Sequence, residues 1–124
     1  MNDSPSAVEI LGAITNLLKD RIAPEISGHN AYALRVAINS LGIVSRELEL
    51  GRQAEAEAVA RLQDILQDCG TLDELNVRLC EKIRSGEFTL DDKAVFRHLK
   101  QTTIDQVRID QPGYSGLKYA KPSD

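Results

Sequence analysis

Residues 30–50 read NAYALRVAINSLGIVSRELEL, and the fold follows from how apolar side chains recur along this stretch. Leu34, Ala37, Ile38, Leu41, Val44 and Leu48 stand three or four apart, which gathers them on one broad arc of an α-helix. Val36, Ile43 and Leu50, spaced by seven, form a second, narrower stripe. A helix apolar on two sides is expected to lie centrally in a bundle. Gly51 offers a natural C-terminal stop.

The same periodicity extends in both directions. Upstream, Ser4 reads as an N-cap and Pro5 as the first helical residue, with Glu9 near the positive end. Ile10, Leu11, Ile14, Leu17, Leu18 and Ile22 then form a face to be buried, until Pro24 and Ser27-Gly28 turn the chain. Downstream, a third helix from about Gln53 to Asp68 sets Val59, Leu62, Ile65 and Leu66 opposite Glu55, Glu57, Arg61 and Asp64. Thr71 followed by Glu74 is a capping-box signature, and the helix it opens carries Leu72, Leu75, Leu79 and Ile83 to Ser85-Gly86. Phe88 and Leu90 belong to a connector. Asp91 or Asp92 starts a fifth helix with Val95, Phe96, Leu99, Thr103 and Val107 on one face, and Pro112 ends it near Asp110. No strand-like alternation of useful length occurs. The expected fold is all-α: a compact bundle of about five amphipathic helices over residues 1–112, then an irregular, partly disordered tail over 113–124 in which Tyr114 is ordered.

A chain of 124 residues can bury a core without disulfide or metal staples. With aromatics at 4%, that core must come from aliphatic side chains. Fifteen Lys and Arg, interspersed among 19 Asp and Glu, leave a net charge of −4, which argues against nucleic acid as a partner. No apolar run approaches the roughly 20 residues that span a bilayer, so no membrane partner is expected. MNDSPS lacks the basic and apolar regions of a signal peptide. Cys69 and Cys80, eleven apart, form neither a disulfide framework nor a C-x-x-C pair, and the expected location is cytoplasmic. Cys80 is expected in the core and Cys69 at a helix end.

Chemistry is harder to find. Arg35, Asn39, Gly42 and Arg46 fall within about 60° on the helix wheel, a polar seam between the two apolar stripes, with Glu47 placed to pair with a neighbour's cation. Two readings fit. One is an anion-binding groove in which Arg35 and Arg46 grip phosphate or carboxylate and Asn39 sets orientation. The other is a satisfied polar network tying this helix to the fourth through Asn76 or Arg84. His29, His98, Cys69 and Cys80 stand isolated, without metal-ligand spacing, so neither a metal nor a cofactor is expected. Ser40, Cys80 and His98 lack any motif that frames a nucleophile, and no catalytic residue is assigned.

The stretches PSAVEILGAITNLLKDRIAPEISG, YALRVAINSLGIVSRELELG, LDELNVRLCEKIRSGEF and LDDKAVFRHLKQTTIDQVRIDQPGYSG resemble, in order, an uncharacterised bacterial family of small helical proteins, a domain of unknown function. Between them QAEAEAVARLQDIL shares only its amphipathic pattern. Arg35, Asn39, Arg46, Glu47, Asn76, Arg84, His98, Pro112 and Tyr114 carry the resemblance and fit a fold signature as well as a site. Members are often encoded beside kinases resembling aminoglycoside phosphotransferases and beside acyl-CoA dehydrogenases. The resemblance thus implies a shared pathway, with such a kinase or dehydrogenase as the candidate partner. The expected function is a non-enzymatic accessory or interaction protein, with Val36, Ile43, Leu50 and Tyr114 as candidate interface and a homodimer among the assemblies they would allow. The alternative is a binder of a phosphorylated or CoA-linked metabolite, using Arg35, Asn39 and Arg46.

Overall fold

The computed structural model describes residues 5–120. Its first helix, α1, spans Ala7–Leu17 and is capped by Ser6, whose hydroxyl accepts the Glu9 N–H at 3.1 Å. The expected cap, Ser4, lies outside the described residues, and Pro5 precedes the helix. Ser6 wins because it stands three before Glu9, the capping-box spacing, which also puts the carboxylate in the first turn. Pro24 then decides how the run ends. It has no N–H for the carbonyl four residues back, and its ring crowds that carbonyl. The turn widens to a π-helix over Leu18–Ile22 and tightens to a 3-10 turn over Ala23–Glu25. Gly28, at φ +70°, completes the reversal.

From His29 one continuous helix of 38 residues, α2, runs to Leu66, about 57 Å of rise. The stop expected at Gly51 does not occur. The second and third expected helices are one, and the described residues hold four α-helices rather than about five. Glycine inside a helix costs only about 1 kcal/mol against alanine. Good helix formers on both sides outweigh that, and no proline follows to force a break. Gly51 is not in the left-handed region, and the Glu47 side chain folds across the place where a methyl would stand. The helix ends instead at Gln67, which takes φ 53° and donates from Nε2 to the Asp64 carbonyl at 2.7 Å.

The next two helices begin and end where local chemistry directs. Thr71 accepts the Glu74 N–H at 3.2 Å and Glu74 accepts the Thr71 N–H at 2.8 Å, so α3, Leu72–Arg84, opens on a complete capping box. Gly86 at φ +84° turns the chain out of it. Asp92 caps α4, Lys93–Asp110, its carboxylate turned back to accept the Thr89 N–H at 2.9 Å. Beyond Pro112 the tail makes a 3-10 turn over Ser115–Tyr119, with the Tyr114 ring lying over Gly116. No strand occurs among the described residues, and no helix among them is long and apolar enough to cross a membrane.

The chain divides into two compact units, Met1–Gly51 and Arg52–Asp124. In the second, Leu62 of α2, Leu75 and Leu79 of α3 and Val95 of α4 form a buried cluster. Val59, Ile65, Leu66, Leu72, Phe88 and Leu99 pack around it. Cys80 departs from its expected core position: both cysteines are free thiols on the surface. The first unit differs in kind. None of its described residues is buried. Ile10, Ile14 and Leu17, expected inside, are exposed, while Leu11, Leu18 and Ile22 are half-buried. Two helices can shield only the stripes they turn toward each other, and closing a core takes a further layer.

Candidate functional site

The second unit contains a cleft of about 540 Å³ between α4 and the C-terminal part of α2. Helical spacing builds both walls. Glu57, Arg61 and Asp64 come from α2, and Ala94, Arg97, His98 and Gln101 from α4, each set lying along one side of its helix. His98 stands three after the buried Val95 and is therefore carried inward, with only 2% of its surface exposed.

Burying a polar ring requires a partner. Arg61 supplies it: Nε donates to His98 Nδ1 at 3.0 Å, and Nη2 donates to the Thr102 hydroxyl at 3.3 Å. A guanidinium has only donors, so Nδ1 must be the acceptor and the ring proton sits on Nε2. The imidazole is accordingly neutral. Burial, first, and the Arg61 charge, second, hold its pKa below the ordinary histidine value of 6.5. Nε2–H has no hydrogen-bond partner among the described residues.

The cleft is equipped for binding more than for bond-making. Its lining contains no Ser, Thr or Cys, and the Nδ1 that would act as a base is already engaged by Arg61. It does offer guanidinium N–H groups and an imidazole N–H beside two carboxylates. Glu57 accepts from Gln53 at 2.9 Å, and Gln101 donates to Asp105 at 2.8 Å, which steadies the rim.

The residues singled out from sequence lie elsewhere. Arg35, Asn39 and Glu47 are exposed on α2, Arg46 is half-buried with its guanidinium over Gly42, and Asn76 and Arg84 are exposed on α3. Val36, Ile43, Leu50 and Tyr114 are all exposed, between 36% and 56%. Among the described residues no three His, Cys, Asp or Glu gather as a metal site would need. Sequence reading passed over the Arg61–His98 pair because its members lie 37 positions apart. The one available signal was a histidine in register with the apolar face of its helix.

Neither a curated protein nor a solved structure matches this chain. A family model does, over residues 24–114, which takes in all of α2, α3 and the cleft. The chain belongs to the family described as a domain of unknown function, DUF6285.

Proposed function

We propose that this chain is a non-enzymatic accessory or interaction protein. The observation that supports it is the surface of the first unit: Ile10, Ile14, Leu17, Tyr32, Val36, Ile43, Val44, Leu48 and Leu50 are each at least 36% exposed. Isolated exposed apolar residues need no explanation, but nine within 41 positions of two helices make continuous surface of the kind that partners cover. The partner we infer is a phosphotransferase-like kinase or an acyl-CoA dehydrogenase. Tagged full-length protein recovered from its own host should bring down one of these near stoichiometry. Ile43→Glu should cut that recovery about tenfold or more. Recovery of neither enzyme by the unsubstituted protein sinks the reading.

A second reading, a metabolite binder, draws support from the Arg61–His98 cleft more than from the Arg35–Asn39–Arg46 seam. A ligand held at 100 times its Kd stabilises the native state by about 2.7 kcal/mol. Acyl-CoAs or sugar phosphates should therefore raise the melting temperature, and Arg61→Ala should abolish the rise. No shift with either class at millimolar concentration excludes it.

A further inference from the structure

The exposed apolar residues of the first unit are not scattered. On α1 the half-buried residues Val8, Leu11, Thr15 and Leu18 form one stripe, and on α2 Leu34, Ile38, Leu41 and Ser45 form another. In a unit made of these two helices, these are the sides turned toward each other. On α1 the exposed Ile10, Ile14 and Leu17 lie on the order of 110° round from that stripe, toward lower angle on the helix wheel. On α2 the exposed Val44 and Leu48 lie about 70° round from theirs, in the same sense. The reversal at residues 23–28 makes the helices antiparallel. Equal-handed offsets on antiparallel neighbours emerge on the same side of the pair.

One broad side of this hairpin is therefore aliphatic: Ile10, Ile14 and Leu17 with Val44 and Leu48, and Ala13, Ala33 and Ala37 between them. No charged residue falls within it, and Arg21 stands at its end near the turn. The seam residues Arg35, Asn39 and Arg46 face the opposite side. The hairpin is thus amphipathic as a whole, half of a four-helix arrangement.

We propose that this side docks against the same side of a second copy of the chain, two hairpins closing into an intermolecular four-helix bundle. The inference rests on reading the first unit as an interaction surface, and it names the occupant. Three considerations select a second copy. The hairpin lacks any buried residue, and a second hairpin is the smallest addition that supplies the missing layer. The surface is uncharged and purely aliphatic, so a two-fold axis brings it onto itself with no like charges opposed. Its size also fits. From Ala7 to Ile22 the helical run rises about 24 Å, and two helices side by side are about 20 Å across. The accessible area of such a corrugated face is on the order of the roughly 800 Å² per partner that stable interfaces bury.

The test is the mass of the full chain by multi-angle light scattering across a dilution series, with hydrogen exchange over residues 7–50 at each concentration. The expected mass is twice the 13.7 kDa of the chain, with amide protection in 7–50 falling as the dimer dissociates. Ile14→Glu with Val44→Glu should yield the 13.7 kDa species, while Val36→Glu, on the far side of α2, should leave the dimer. A monomer at every concentration overturns the proposal, as does a dimer that survives the paired substitution. So does protection of 7–50 that is independent of concentration, which would show the face covered from within its own chain. Failure of the wider reading looks different: a dimer forms, yet neither kinase nor dehydrogenase co-purifies. If instead the chain is monomeric and Ile43→Glu still abolishes enzyme recovery, the interaction reading stands and the second copy falls.

Discussion

Leu62→Ala is expected to lower the free energy of unfolding by about 3 kcal/mol or more. Leu62 has no exposed surface and stands where α2, α3 and α4 meet, against Leu75, Leu79 and Val95. Truncating it removes the transfer free energy of the lost carbons and leaves a void between three helices. Those helices are held at fixed spacing by the capping box at Thr71 and the short turn at Ser85–Asp92, so collapse into the void is limited. For a domain with a total stability of about 5–15 kcal/mol, that loss is a large fraction. Urea titration should show the midpoint displaced with the slope unchanged. Leu90→Ala provides the contrast, since Leu90 is 68% exposed and its loss should stay within about 0.5 kcal/mol. A loss at Leu62 no larger than that at Leu90 would show that the cluster is not the core of the second unit.

Acidification should destabilise the protein through His98, beginning near pH 6.5. The folded pKa lies below the ordinary 6.5, because of burial first and the Arg61 charge second. Between the unfolded and folded values the unfolded chain therefore binds the additional proton. The stabilisation is complete above 6.5 and is lost as pH falls toward the folded pKa, at no more than about 1.4 kcal/mol per pH unit. Protonating Nδ1 would also end the hydrogen bond from Arg61 and set two cations against each other. Glu57 and Asp64 on α2 and Arg97 on α4 share the cleft, and their charges modulate the same equilibrium. His98→Asn retains an acceptor for Arg61 but cannot titrate, so it should flatten the stability profile between pH 7 and 5. Arg61→Met should cost about 1–3 kcal/mol at pH 7.5 by leaving Nδ1 buried without a donor. It should also make the acid loss shallower, since one of the two causes of the depressed pKa is gone. An unchanged slope in His98→Asn would assign the acid sensitivity to other groups.

Much of the chain's organisation is set over distances of three or four residues, and there the sequence sufficed. Thr71 and Glu74 reach each other within one turn, so the start of α3 could be read directly. Pro112 forbids helix wherever it stands, so the end of α4 could be placed. Leu62, Leu75, Leu79 and Val95 were marked as core because each lies on the apolar side of a short amphipathic helix. Gly51 shows the limit even of local reasoning. A stop signal worth about 1 kcal/mol competes with the helix formers around it, and that sum is not visible in the glycine alone.

What the tertiary structure alone decided were matters of neighbourhood. His98 and Arg61 are each unremarkable in their own helices, and only the packing of α4 beside α2 makes one the other's partner. The apolar residues of α1 and the first half of α2 have the spacing of a buried face, yet they are exposed. Periodicity records which side of a helix avoids water. It does not record what will cover that side, because burial depends on a second surface whose position the local sequence does not encode.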